Sequence, residues 1–218
     1  MKHTRAEAPA QLCGPDIEVH YLPAVVPAAQ ATAWLQELLA TIAWRQETVR
    51  VFGREYPAPR LTAWHGDAGV RYRYSGIEHV ARPWTEPLQA IRALVQERCD
   101  ATFNAVLLNQ YRDGRDSVGW HSDNEACLGP HPVIASVSLG GDRRLRFRRR
   151  AGPETHELLL GHGSLMVMRG LTQRAWQHCL PRCARASARV NLTFRLVGSA
   201  LGAGRVAFPG TARNNETP

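Results

Sequence analysis

Val133-Ile134-Ala135-Ser136-Val137-Ser138-Leu139 alternates along its length, with Val133, Ala135, Val137 and Leu139 on one side and Ile134, Ser136 and Ser138 on the other. A period of two is that of a β-strand, because successive side chains leave opposite faces of a pleated backbone. From Asn104 onward, short segments of this kind are separated by turn signals at Asp113-Gly114, Gly129-Pro130, Gly140-Gly141-Asp142, Gly152-Pro153 and Gly161 to Gly163. Many short strands predict an antiparallel sandwich or jelly roll. Upstream the period lengthens. Trp34, Leu35, Leu38, Leu39 and Ile42 recur at helical spacing, as do Leu88, Ile91 and Val95 after Thr85 and Pro87, a plausible helix start. Two helices therefore precede the strands, and the expected class is α+β, mainly β. No internal repeat is present.

A chain of 218 residues suits one domain, and 44% hydrophobic with 21% charged residues is ordinary for a globular protein and too polar for a membrane one. No run approaches the roughly 18 to 20 apolar residues of a bilayer crossing. The first sixteen residues, MKHTRAEAPAQLCGPD, contain no apolar stretch of the kind a secretory signal has, so a cytoplasmic protein is expected. Residues 1–15 and 199–218 lack periodicity and are expected to be loose. Five cysteines, an odd number without a paired framework, fit reduced thiols. Cys179 and Cys183 alone are a weak metal signal, since zinc sites normally carry two such pairs or flanking histidines.

A net charge of +8 and a pI of about 9.8 imply attraction to a polyanion such as nucleic acid. Lys2 is the only lysine. A base-composition bias explains Arg over Lys, but not the excess of basic over acidic residues.

Within Ser117-Val118-Gly119-Trp120-His121-Ser122-Asp123, His121 and Asp123 are two apart, so on extended backbone both leave the same face and can chelate one ion. His178 offers a third ligand that a returning jelly-roll strand would bring close. Two His and one carboxylate leave coordination positions open, the arrangement of non-haem Fe(II) oxygenases. A His-x-Asp alone is weak evidence. It gains weight from Arg189-Val190-Asn191-Leu192-Thr193-Phe194-Arg195, which puts Arg189, Asn191, Thr193 and Arg195 on one face and the apolar residues on the other. Two inward Arg forks need anions, and a dicarboxylate supplies two. A solvated strand edge would give the same pattern. Asn109 and Tyr111 alternate in the same way and can bond the same ligand.

Taken together, Asn109-x-Tyr111, His121-x-Asp123, Pro132 to Gly140, His162-Gly163-Ser164-Leu165, Trp176-Gln177-His178 and Arg189 to Arg195 closely resemble the AlkB family, with similarity from about residue 46 to 197. The resemblance implies a double-stranded β-helix with N-terminal helices and a substrate-binding hairpin lid. Residues 16–198 would be one catalytic domain, with a nucleotide-recognition part over 16–102 and a jelly-roll core over 103–198. It also implies an Fe(II)- and 2-oxoglutarate-dependent dioxygenase that uses O2 to demethylate 1-methyladenine and 3-methylcytosine in DNA, releasing formaldehyde. His121, Asp123 and His178 would bind iron. Arg189 would take the distal carboxylate of 2-oxoglutarate and Arg195 the one beside its keto group, with Asn109, Tyr111, Asn191 and Thr193 completing that pocket.

On the nucleic-acid side, Val51-Phe52-Gly53-Arg54, Arg60 and the stretch Gly66 to Gly76 resemble the substrate lid of family members acting on duplex DNA. There Phe52 would wedge into the stack, Tyr72 and Tyr74 would line the base pocket, and Asn124 and Glu125 would lie near the flipped base. Asn124, Trp120-His121-Ser122 and Leu61-Thr62-Ala63-Trp64 look more like members that prefer single strands, so both substrates stay open. Arg182 and Arg185, and the run Arg143 to Arg150, are candidates for phosphate contacts, the run alternatively being a charged edge strand. His162, in a Gly-flanked turn, reads as structural. A monomer acting on alkylated DNA, single or double stranded, is expected, with RNA as a further substrate. The rival readings are an oxygenase with another substrate and a nucleic-acid-binding jelly roll without turnover.

Overall fold

The computed structural model describes residues 10–51, 53–74 and 77–198. Fifteen strands and three helices follow in the order β1 Ala10–Gly14, β2 Ile17–Leu22, α1 Ala28–Thr41, β3 Thr48–Val51, β4 Arg54–Pro57, β5 Leu61–Gly66, β6 Arg71–Tyr74, β7 Ile77–Val80, α2 Glu86–Cys99, β8 Ala105–Tyr111, β9 Val118–His121, β10 Ile134–Gly140, β11 Arg143–Arg149, β12 Thr155–Leu160, β13 Ser164–Arg169, α3 Thr172–Ala175, β14 Trp176–Leu180 and β15 Arg189–Arg195. A seven-stranded sheet, β1-β2-β13-β10-β15-β8-β5, faces a four-stranded one, β12-β11-β14-β9, while β3-β4 and β6-β7 form separate hairpins. The named strand pairs are all antiparallel. This is the expected jelly roll.

Alternation assigns the two faces of the large sheet. Ala135, Val137, Leu139, Leu165, Val167, Val190, Leu192 and Phe194 pack outward under the helices, with Ala31 and Leu38 of α1 and Leu88, Ile91 and Val95 of α2. The other face, with Val19, Tyr21, Tyr111, Ile134, Met166 and Met168, meets Leu145, Phe147, Leu158, Leu160 and Leu180 of the small sheet. Burial of each larger aliphatic or aromatic side chain contributes roughly 1.5 to 3 kcal/mol, so one face of the large sheet is held by the helices and the other by the small sheet. Both helices lie within a few residues of the expected spans, and α2 carries the anticipated Thr85 and Pro at its start.

His162 has the structural role expected of it. The Gly140 N–H donates to His162 Nδ1 (2.8 Å). Nε2 therefore carries the ring proton and faces Thr32 Oγ1 (3.1 Å) and the Ala28 carbonyl (3.3 Å), tying the first turn of α1 to the β12–β13 turn. Gly163 beside it needs a left-handed φ of +73°, and a Cβ there would lie 2.4 Å from the Val26 carbonyl oxygen.

Two expectations are corrected. The segment 1–15 is not loose throughout: β1 pairs with β2, placing Leu12 opposite Val19, and Leu12 packs on the inner core. The adjoining turn is anchored at Asp16, which accepts Nε (2.9 Å) and Nη2 (2.5 Å) of Arg149 and Nε1 (3.1 Å) of Trp176. Residues 1–9 and 199–218 lie outside the described residues. The division at residue 103 does not follow the sheet either, because β1, β2 and β5 extend the large sheet on both sides.

Candidate active site

His121 ends β9 and stands directly opposite His178 of β14, which pairs on its other side with Phe147 of β11. The imidazole centroids are 4.3 Å apart. Asp123 follows two residues later, and one donor atom from each of His121, Asp123 and His178 lies within 4.8 Å of the others. The small sheet thus closes the sequence gap between the second and third donors. The His121 Nδ1–H points at the Gly119 carbonyl (2.8 Å), which leaves Nε2 free for a cation. Burial pulls His178 down to about 3, assisted by neighbouring His121, so its imidazole is neutral at neutral pH, the form that could bind a metal.

Asp123 is held on two sides. Its Oδ1 accepts Arg195 Nη2 (2.9 Å), and both side chains are 4% exposed. Its backbone N–H donates to Gln173 Oε1 (2.9 Å), while Gln173 Nε2 reaches Met168 Sδ (3.1 Å). Burial pushes the Asp123 carboxyl up, but Arg195, with His178 and His121, outweighs it and holds the group at about 2. An ionised carboxylate beside two imidazoles is a donor set suited to Fe(II).

The cavity between the sheets has a polar wall from β8 and β15, carrying Asn109, Tyr111, Arg189, Asn191, Thr193 and Arg195, and an apolar wall that includes Val118, Leu145, Met168 and Leu180. The register explains the grouping: Arg189 is opposite Tyr111, and Asn191 opposite Asn109. Asn191 donates to Ser136 Oγ (2.7 Å) and the Val137 carbonyl (3.1 Å) and accepts the Thr193 hydroxyl (3.0 Å), so these groups order one another. Arg189 differs. It donates Nη2 to Ser138 Oγ (2.9 Å) and lies 5.3 Å from the Tyr111 ring centroid, yet its buried Nε has no hydrogen-bond partner among the described residues. Burial lowers its guanidinium to about 10, which is still a cation at neutral pH. A buried cation with an unpartnered N–H is further stabilised by an anion that comes from outside. A dicarboxylate cosubstrate fits that need.

The predicted nucleic-acid residues divide. Arg60 is buried in this cavity, donating Nε to Asn109 Oδ1 (2.9 Å), instead of lying on the surface. Asn124 is exposed; Glu125 is half-buried, with Oε2 buried and unpartnered among the described residues. Val51 and Arg54 close the β3–β4 hairpin around Gly53, whose φ is +79°, while Phe52 lies outside the described residues. Tyr72 and Tyr74 pair with His79 and Ile77 in the backbone register of β6–β7. Arg182 and Arg185 are exposed and line surface grooves beside Asp113 and Arg115, apart from the interior cavity.

The Arg143 to Arg150 run is not a uniform phosphate surface. Arg143 is buried on the carbonyls of Asp113, Asp116 and Pro181; Arg144 and Arg146 pair with Glu157; and Arg149 pairs with Asp16 and Glu154. The acidic partners lie outside the run, Glu157 on β12, Glu154 in the turn before it and Asp16 in the β1–β2 turn, so the sequence of the run does not reveal them. Sequence reasoning also missed Gln173. Its signal is faint, a buried amide on a four-residue helix just ahead of the third donor.

The 2OG-Fe(II) oxygenase superfamily matches residues 18–195. Alpha-ketoglutarate-dependent dioxygenase alkB homolog 3 of Mus musculus is 39% identical over 186 residues, covering 80% of this chain and 64% of the relative. DNA oxidative demethylase ALKBH2 of Mus musculus is 43% identical over 158 residues, covering 68% of this chain and 66% of the relative. The chain thus spans just under two thirds of the length of these relatives. The solved structure of OsALKBH1 superposes with a TM-score of 0.60 at 15% identity, over 85% of this chain and 99% of that one, which supports the fold. The chain belongs to the 2OG-Fe(II) oxygenase superfamily and is homologous to its AlkB-type dioxygenases.

Proposed function

We propose that this chain oxidatively demethylates N-alkylated bases in DNA, with 1-methyladenine and 3-methylcytosine as substrates. The observation that carries the reading is the buried Arg189 cation, which shares one cavity with the His121, Asp123 and His178 cluster and whose Nε has no hydrogen-bond partner among the described residues. The names of the relatives, a DNA oxidative demethylase among them, supply the substrate class. In this reading the three donors hold Fe(II), Arg189 takes the distal carboxylate of 2-oxoglutarate and Arg195 the nearer one, and Asn109, Tyr111, Asn191 and Thr193 complete the pocket. When bound, Fe(II) with 2-oxoglutarate and O2 supplies oxidation of the N-methyl group, which leaves as formaldehyde while 2-oxoglutarate becomes succinate and CO2.

The protein's share is positioning and exclusion of water. Gln173 and Arg195 fix the Asp123 backbone and carboxylate, and Gly119 fixes the His121 tautomer. Leu145, Leu180 and Met168 keep the cavity apolar where a methyl group must lie. Tyr72, Tyr74, Asn124 and Glu125 are assigned to the extruded base. Val51, Phe52, Gly53 and Arg54 are assigned to the space it vacates, and Arg182 and Arg185 to phosphates.

Succinate production tests the substrate class. It should rise when an oligonucleotide carrying 1-methyladenine is added, and not with the same oligonucleotide unmethylated. Equal stimulation by both would sink the reading. In the same assay Arg189→Ala should raise the 2-oxoglutarate concentration for half-maximal rate roughly ten- to hundredfold, since a charge-assisted bond contributes about 1.5 to 3 kcal/mol. Most of the maximal rate should return at saturation. An unchanged titration would take Arg189 out of the cosubstrate pocket.

A further inference from the structure

Because His121 and His178 point into the cavity, their strand neighbours Trp120 and Gln177 point to the outer face of the small sheet. Trp120 is one of the few large apolar side chains left exposed among the described residues, at 37%. The Arg148 guanidinium lies 4.4 Å from its ring centroid. Two N–H groups of that guanidinium, Nε (3.0 Å) and Nη2 (2.8 Å), donate to one oxygen, Gln177 Oε1, which fixes the cation against the ring. Beside this stack Arg150 Nη2 donates to Ser122 Oγ (2.9 Å), and Ser122 lies between His121 and Asp123 and is tied to the Trp176 carbonyl (2.6 Å).

The charges of β11 are therefore sorted by position. Arg144, Arg146 and Arg149 are neutralised by Glu157, Asp16 and Glu154. Arg148 and Arg150, next to the metal-ligand strands, are held by neutral oxygens and have no ion pair among the described residues. An ordered cation–aromatic stack flanked by a second unneutralised Arg matches a nucleotide: a base has a π-face for the stack, and its phosphates need the charges.

We infer that Trp120 and Arg148, with Arg150, form a platform for an unpaired nucleotide flanking the target base, and that this platform favours single-stranded over duplex substrate. The inference rests on the proposed nucleic-acid substrate. In a duplex the flanking bases are stacked within the helix and cannot lie on the platform, whereas a single strand can splay one out. Trp120 would act as a specificity determinant at a distance from the methyl group, not as a catalytic residue.

Equilibrium binding of fluorescein-labelled oligothymidine, and of its duplex with oligodeoxyadenosine, tests this at two salt concentrations without any turnover. Trp120→Ala should weaken single-strand binding about tenfold, in the range for loss of one base–aromatic stack, and duplex binding less than about twofold. Trp120→Phe should stay within about threefold of the parent, and Trp120→Leu, which keeps apolar bulk without a π-face, should resemble Trp120→Ala. Arg148→Ala should flatten the salt dependence by about one phosphate contact, which Trp120→Ala should leave unchanged. Equal losses on both substrates, a Phe variant as weak as the Ala variant, or an unaltered salt slope in Arg148→Ala would overturn the platform. Demethylation of a 1-methyladenine strand by the parent protein, run alongside, separates the two ideas: its failure would remove the proposed activity, while the binding data still decide the platform.

Discussion

Demethylation by His121→Ala, Asp123→Ala and His178→Ala should fall to background, a loss of at least about a thousandfold, because the oxidation belongs to the bound metal and each donor is one of three. No neighbouring side chain can substitute, since these are the only three groups clustered at ligand distance among the described residues. Affinity for Fe(II), measured with the substrate absent, should fall in parallel. Binding of unmethylated oligonucleotide should survive, since phosphate contacts position the strand independently of the metal. Turnover within tenfold of the parent in any of the three would show that the cluster is not the metal centre.

The second large effect concerns folding. Arg195→Ala should destabilise the metal-free protein by about 3 to 5 kcal/mol at neutral pH, because it strands the Asp123 carboxylate in the interior without its cation. The pH dependence follows from the sign of the shift. In the parent, Asp123 is held at about 2 against an ordinary 3.8, so its contribution is present above 3.8 and is lost as pH falls from there through 2. Without Arg195, burial is no longer outweighed and favours the protonated acid, so the deficit of the variant should shrink as pH falls. Urea unfolding at pH 7 and pH 4 measures both. In Asp123→Ala/Arg195→Ala the combined loss should be smaller than the sum of the single losses, since the two groups share one interaction. A deficit under about 1 kcal/mol, or one that grows with acid, would contradict this account of the pair.

Much of the site is legible in the sequence because alternation is a local property. In Arg189 to Arg195 each second residue faces the cavity, so the polar set Arg189, Asn191, Thr193 and Arg195 follows from residue order alone, as does the shared face of His121 and Asp123. That His178 joins them depends on β14 pairing with β9, a nonlocal fact that the sequence only permits. The same rule, applied to the neighbours of the donors, points Trp120 and Gln177 outward.

What is not legible depends on partners far away in the chain. Arg149 looks like its neighbour Arg148 in sequence, and only the fold brings Asp16 to one and the Trp120 ring to the other. Arg60, assigned by resemblance to the substrate lid, is enclosed in the cavity because β5 pairs with β8 and places it against Asn109. β1 escapes notice for a related reason: Leu12 is its one large aliphatic residue, and its strand is stabilised by β2 and the inner core.

The proposed reaction removes a methyl group from a base bound at this cavity. It is tested most directly by mass spectrometry of an oligonucleotide bearing one 1-methyladenine, incubated with the protein, Fe(II), 2-oxoglutarate and O2, with His178→Ala as the control. The expected product is lighter by one CH2 unit, with one formaldehyde and one succinate formed per base restored, and no change in the control. Succinate formed while the oligonucleotide keeps its mass, or an equal mass loss with His178→Ala, would contradict it.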